Sequence, residues 1–350
     1  MSRGTLASRF ATAILAVLLV TFCVSFLSLC VGDSFVPPTH VLRILADPTL
    51  QDVVESPDAS LAHLGREARI VREIRLPRVV LAALVGASLS LAGAAFQGLL
   101  RNPLADPYIV GTSSGAACGA AIAIVLGLSS SFDVAWPARP LFAFVGALAT
   151  MYFVFALSRV DGRLPVDTFL LAGVVVGSFL WAFVSFLMAA SHGKMQEIVF
   201  WLMGDLSMAS WPMIRMMAPY FVIGAVALLL LSHRLNLLSI GEESAAALGV
   251  EVERTKLIIV VFASLLTAAA VSVSGLIGFV GLMVPHLTRS IWGPDHRVLL
   301  PACALGGAAF LVLADTAARL MSPAEIPVGV LTALFGGPFF FVILRRRLLS

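Results

Sequence analysis

Residues Arg234–Lys256 read RLNLLSIGEESAAALGVEVERTK and form a polar island between two long apolar runs, Pro212–Ser232 and Leu257–Ser274. The island carries the punctuation of a short helix. Ser239 followed three residues later by Glu242 is a capping-box pattern, in which each side chain accepts from an orphan backbone N–H. Gly249 stands where a left-handed C-cap falls. The enclosed helix, Ile240–Leu248, is shorter than the ~12–15 residues that an isolated helix needs in water. Leu238, Ala245, Leu248 and Val252 fall on one weakly apolar stripe. A helix this marginal, held between two membrane-length runs, needs a surface to dock against.

The runs on either side decide the class. The chain has 350 residues, of which 59% are apolar and 12% charged, with a mean hydropathy of +1.00. A soluble domain usually carries about 25% charged residues, and no soluble fold of this size hides so much apolar surface. About 20 residues of helix cross the hydrocarbon, and ten segments have or approach that length. They are Phe10–Val31, Val79–Leu99, Val110–Leu128, Pro140–Ser158, Thr168–Ala190, Pro212–Ser232, Leu257–Ser274, Leu276–Trp292, Val298–Ala317 and Ile326–Leu344. The seventh and eighth are short and parted only by Gly275. The expectation is an all-α polytopic membrane protein with about ten transmembrane helices in one domain, residues 1–350. The first run exceeds the ~7–15 residues of a signal-peptide core, so it reads as a retained helix.

Ten spans place both termini on one side. With the termini in the cytoplasm, thirteen of the 23 basic residues lie inside, among them Arg101, Arg159, Arg163, Arg234, Arg254, Lys256, Arg289, Arg297 and Arg345–Arg347. Six of the remaining ten belong to one long outer loop, residues 32–77, and its junction with the second span (Arg43, Arg66, Arg69, Arg72, Arg75, Arg78). Elsewhere the positive-inside tendency is clear. The outer loop is acidic over Asp47–Asp58, basic over Arg66–Arg78, and reads as a short external helix rather than a separate domain. Residues 234–256 then form a cytoplasmic loop.

Several activities are disfavoured. No ionisable residue falls at the middle of a span, where ion-coupled secondary transporters, the rival class, generally place one. There is no HExxH, no GxSxG and no GxxxxGK[ST] loop, so neither hydrolysis nor nucleotide binding is written into this chain. Any ATPase is another polypeptide, and the chain itself reads as no enzyme. Cys23, Cys30, Cys118 and Cys303 lie in or at the ends of apolar spans without CxxC spacing, which indicates neither zinc nor disulfides. A net charge of +3 gives no reason to expect nucleic acid, and no cofactor is implied.

Other features allow a plain reading beside a sharper one. VGTSSGAACGAAIA (residues 110–123) and Gly275, Gly278 and Gly281 are small-residue stretches that let helix backbones approach closely. Pro285 should break or kink the helix that follows. RNPLADP (Arg101–Pro107) and GPDHRVLLP (Gly293–Pro301) are polar turns, structural or else surfaces for a cytoplasmic partner. Arg75, Arg78 and Arg319 stand at outer span ends, with Asp315 placed to pair with Arg319. Either they snorkel to the interface, or they form an external basic rim for an acidic partner.

RLPRVVLAALVGASLSLAGAAFQGLLRNPLADPYIVGTSSGA, followed by GLIGFVGLMVPHLTR, GPDHRVLLP, LADTAAR and EIPVGVLTALFGGPFF, resembles the permease subunits of bacterial ABC importers for iron complexes and cobalamin. The match runs from Arg75 to the C-terminus. The resemblance implies the type II ABC importer permease fold in the bacterial inner membrane, a homodimer with its path between subunits, two cytoplasmic ATPase subunits and a periplasmic substrate-binding protein. It implies that spans 2–5 and 7–10 are inverted repeats, and that spans five and ten line the path. Glu243, Ala245, Ala246 and Gly249 match the EAAxxxG pattern of importer coupling loops, with Ser244 replacing an alanine. Ser239, Glu242 and Leu248 complete that ATPase-coupling surface. Arg75, Arg78 and Arg319 match arginines that pair with glutamates of the binding protein. The resemblance puts a cytoplasmic gate at the turn Pro165–Thr168 before span five (Val166, Asp167 and Thr168), where this chain has Pro165, Val166 and Asp167 in place of the hydroxyl residues of some relatives. A ferric siderophore is the expected substrate, with haem and cobalamin as alternatives.

Overall fold

Within hydrocarbon each backbone N–H and C=O must find a partner inside the protein, which favours helices. The computed structural model describes residues 3–32, 34–50, 58–128, 138–191, 193–321 and 326–348. Among them there is no strand beyond the isolated bridge Val160–Arg163. The helices are α1 (Arg3–Cys30), α2 (Pro38–Ala46), α3 (Ala59–Arg69), α4 (Leu76–Leu99), α5 (Thr112–Val125), α6 (Ala138–Ser158), α7 (Val166–Ala190) and α8 (Met195–Leu202). They continue as α9 (Trp211–Leu230), α10 (Ser232–Ile240), α11 (Glu242–Ala247), α12 (Val252–Ser274), α13 (Val280–Trp292), α14 (His296–Met321) and α15 (Val328–Leu348). A π-helical turn, Ile70–Arg75, joins α3 to α4 without a break.

All ten expected segments are helical, but they are not equal. Helices α1, α4, α6, α7, α9, α12 and α14 are long and apolar enough to cross a membrane. Helices α5 and α13, the third and eighth segments, span only 14 and 13 residues. Helix α5 is preceded by a 3₁₀ turn, Pro107–Val110, and α13 by irregular chain, and the two stretches meet. The Tyr108 hydroxyl donates to the Ile277 carbonyl at 2.9 Å and accepts from the Ile277 N–H at 3.2 Å. Non-helical backbone at this depth is tolerable because it is bonded within the protein, and paired half-helices are a recurring device of transporters.

Helix α4 is the hub. Its continuous helical run, Ser60–Leu99, has 83% of its most apolar window buried, against 17% for α7. Helix α14 lies antiparallel to it, with Arg78 facing Asp315, Gly86 facing Gly307 and Gly98 facing His296. A Cβ on Gly86 would come within 2.1 Å of the Gly307 carbonyl, so the two backbones touch there. Close backbone approach, rather than hydrophobic drive, holds helices together in lipid. Helix α13 runs beside the second half of α4 and continues past Pro285 to Trp292, so the proline does not break it. Lacking an N–H, Pro285 leaves the Gly281 carbonyl without its i+4 donor. Gln97 Nε2 of α4 takes that role at 3.4 Å.

The outer loop holds two short helices, α2 and α3, rather than one. Most of its acidic stretch, residues 51–57, lies outside the described residues. Arg75, Arg78 and Arg319 turn inward, unlike the exposed Arg43, Arg66 and Arg69 of the loop. Arg72 Nε donates to the Ile44 carbonyl at 3.2 Å, near the end of α2. Arg75 donates to Leu29 at 2.8 Å, in the last turn of α1, and to the Ser34 carbonyl. Helix C-termini leave orphan carbonyls, and a guanidinium suits them by charge as well as by geometry. Arg78 grips both Asp315 oxygens at 3.0 Å, and Arg319 reaches Asp315 at 3.3 Å and Ser28 at 2.7 Å. Arg75, Arg78 and Arg319 are therefore buried (4%, 6% and 9% exposed), fastening α1, α4 and α14 together.

Candidate functional site

The island consists of two helices, because Gly241 interrupts it. Its φ of 137° is open to glycine and strained for other residues. The capping box is consequently absent. Ser239 sits in the last turn of α10 and donates to the Leu235 carbonyl at 2.7 Å, while the N-cap of α11 is Gly241, which has no side chain. A residue at a helix's end bonds backward once the helix continues through it.

The C-terminal end matches expectation. Gly249 has φ +85°, its N–H bonds Ala246 at 2.9 Å, and the Val250 N–H bonds Ala245 at 3.0 Å. This pair of bonds is a Schellman motif. Of the proposed stripe, Leu238 and Ala245 are buried while Leu248 is 63% exposed. Glu243, Ala246 and Gly249 also face outward, beside Ile240 at 68% exposure. The outer face of α11 is thus a small surface with an apolar residue at each end.

Two side chains fix this surface to the body. Lys256, the fifth residue of α12 and only 3% exposed, contacts Glu242 at 2.6 Å, Glu253 at 3.0 Å and the Leu164 carbonyl at 3.2 Å. An ammonium has three N–H donors, and three acceptors meet them. Glu253 also accepts from the Leu164 N–H at 2.7 Å. Asn236 of α10 accepts from His296 through both its backbone N–H and Nδ1 at 2.8 Å, and donates to Asp295 at 2.7 Å. Hydrogen bonding to the Arg297 guanidinium holds the Asp295 carboxyl well below the usual carboxylate range, aided by Asn236. The two polar turns meet α10 here, around a cavity of about 630 Å³ lined by Gln97, Arg101, Asn236, Arg289, Asp295 and His296.

Val166, Asp167 and Thr168 form the first turn of α7, which follows Pro165. Asp167 is exposed and the other two are half-buried. They are linked to α11 through Leu164 and Lys256. Sequence reasoning missed Lys256 and Tyr108. A signal existed for the first: of the 23 basic residues only Lys194 and Lys256 are lysines, and both cap backbone carbonyls. Among the described residues no cluster of His, Cys, Asp and Glu is arranged to hold a metal.

The FecCD transport family matches residues 15–346, the whole helical body just described. The chain belongs to that family. It is 50% identical over 278 residues to the cobalamin import system permease protein BtuC of Halobacterium salinarum, covering 79% of this chain and 74% of that one. It is 49% identical over 280 residues to the ABC transporter permease protein YvrB of Bacillus subtilis, covering 79% of each. Against the hemin transport system permease protein HmuU of Yersinia pestis the identity is 45%, over 78% and 83% of the two chains. A metal-chelate type ABC transporter solved in an inward-facing conformation superposes with a TM-score of 0.82 at 32% identity, covering 96% and 99%. This FecCD chain is therefore an all-helical, multi-pass transport permease of the ABC type.

Proposed function

We propose that this permease is the transmembrane subunit of an ATP-driven importer of large metal chelates, one domain spanning residues 1–350. In this reading it forms a homodimer in the bacterial inner membrane with both termini cytoplasmic, and the path runs between copies of α7 and α15. Two cytoplasmic ATPase subunits dock on the outer face of α11, where Glu243, Ala246, Leu248 and Gly249 are exposed. The observation that carries the proposal is this face: a short helix, anchored at both ends by Glu242–Lys256 and the Gly249 motif, with its outer side uncovered. The chain has no nucleotide-binding loop of its own, so energy enters from a separate protein at such a surface. ATP binding draws the ATPases together, moves α11, and switches the side to which the path opens.

A periplasmic binding protein delivers the substrate to the α2–α3 end. Arg75, Arg78 and Arg319 shape that end from within, and the exposed Arg43, Arg66 and Arg69 present positive charge there to guide an acidic partner. Relatives named for cobalamin, hemin and Fe(3+)-citrate support a bulky metal chelate. A ferric siderophore is our first choice, and the relatives at 50% and 45% identity favour cobalamin and haem as the second reading.

The test is to reconstitute the permease with its ATPase and binding protein in liposomes and to measure uptake of ferric siderophores, haem and cobalamin. ATP-dependent uptake of one of them is expected. Uptake by the permease alone, driven by an ion gradient without ATPase, would sink the importer reading.

A further inference from the structure

We propose that Lys256 is the positioning residue that carries movement of α11 to the start of α7. The inference rests on the reading of α11 as the ATPase-docking helix.

The covalent route from α11 to α12 is a four-residue link closed by the Gly249 cap. In that link Leu248, Gly249 and Glu251 are exposed and only Val250 packs inward, and Gly249 has open space around it. Lys256 bridges that link directly, with one N–H on Glu242 at the first residue of α11 and another on the Leu164 carbonyl. Glu253, the third partner, holds the Leu164 N–H as well. Both polar groups of one peptide-bearing residue, Leu164, are thus clamped from α12, and one of the clamps also holds α11.

What lies on either side of Leu164 is stiff. Val160 and Arg163 exchange backbone hydrogen bonds at 3.1 and 2.9 Å across a two-residue turn, with Asp161 at φ +50° and Gly162 at φ +78°. Both central residues at positive φ define the tight hairpin turn whose backbone has little freedom. Pro165, with φ fixed at −65°, follows immediately, and Val166 begins α7. A displacement of Leu164 therefore reaches the first turn of α7 without being absorbed in between.

The bond to α11 is also the one suited to change. The Glu242 side chain is 38% exposed whereas that of Lys256 is 4% exposed. Glu242 can leave with α11 and be solvated, while Lys256 keeps Glu253 and the Leu164 carbonyl. That gives two arrangements of one node, which is what coupling between distant sites requires.

The experiment uses the complete complex in liposomes, carrying Asp167→Cys with a nitroxide label on the first turn of α7. Lys256→Met and Glu242→Ala are compared with the unaltered residues. With Lys256→Met, which lies outside the α11 surface, the ATPase subunits are expected to co-purify as before, and in both variants uptake per ATP hydrolysed should fall about tenfold, a typical size for coupling between sites. The nucleotide-dependent change in label mobility should vanish with it. If Lys256→Met does not fold, Glu242→Ala decides, because it removes only the acceptor on α11 and leaves Lys256 the Glu253 and Leu164 oxygens. Unchanged uptake per ATP and an unchanged label response, with co-purification retained, overturn this inference alone. Failure of the ATPase to bind the unaltered permease overturns the docking reading, and this inference with it.

Discussion

At the scale of single residues, burial decides what a charge does. Asp315 is 1% exposed between Arg78 and Arg319. Removing one member of a buried ion pair costs about 3–5 kcal/mol, because its partner stays buried and charged. Asp315→Ala should therefore lower the thermal midpoint of the purified permease sharply, measured by tryptophan fluorescence in detergent. A normal midpoint with lost binding-protein capture would instead return these arginines to the docking surface. Glycine offers a paired test. A Cβ on Gly93 would fall 1.8 Å from the Gly281 carbonyl, whereas around Gly278 nothing lies within 4 Å. Gly93→Ala should reduce the yield of folded protein, since overpacking by even one methyl costs about 1–3 kcal/mol. Gly278→Ala should behave like the parent, and equal yields for the two would contradict the close α4–α13 contact.

At the scale of elements, the α11 surface was half legible in the sequence. Gly249 is a C-cap by its position in the sequence, and the left-handed backbone agrees. The N-terminal side was misread because Ser239 and Glu242 carry the right spacing, yet the chain makes a different use of each. Gly241, lying between them, breaks the helix, so Ser239 closes α10 and Glu242 reaches Lys256. The outcome rests on a partner fourteen positions on, where a four-residue motif carries no information. Because Ala246 is exposed, Ala246→Trp should leave the helical content by circular dichroism unchanged while abolishing stimulation of ATP hydrolysis by substrate. Full stimulation in that variant would remove α11 from the docking role. Segment lengths were likewise legible only in part. Hydropathy marks the third and eighth spans, but not that α5 and α13 are half-helices closed by the Tyr108–Ile277 contact.

At the scale of the molecule, the exposed apolar faces await lipid or a second copy. Leu171, Val174, Val175 and Phe179 of α7 and Leu334, Phe335 and Phe341 of α15 are all more than half exposed in the single chain. With no hydrophobic drive between helices in lipid, such faces associate only through shape and small contacts. Native mass spectrometry of the assembled transporter should show two permease copies with two ATPases. A single permease copy that still transports would contradict a path between subunits.

Composition and hydropathy alone determined that this is a helical membrane protein and where nearly all its spans run, because the hydrocarbon imposes those demands on every apolar segment separately. Motif order sufficed for the family. The tertiary structure decided which polar residues are free. Arg78 finds Asp315 at a separation of 237 residues, and Lys256 finds Leu164 at 92. Whether a charge faces water or a buried partner depends on what folding brings beside it, and local sequence holds no record of that neighbour.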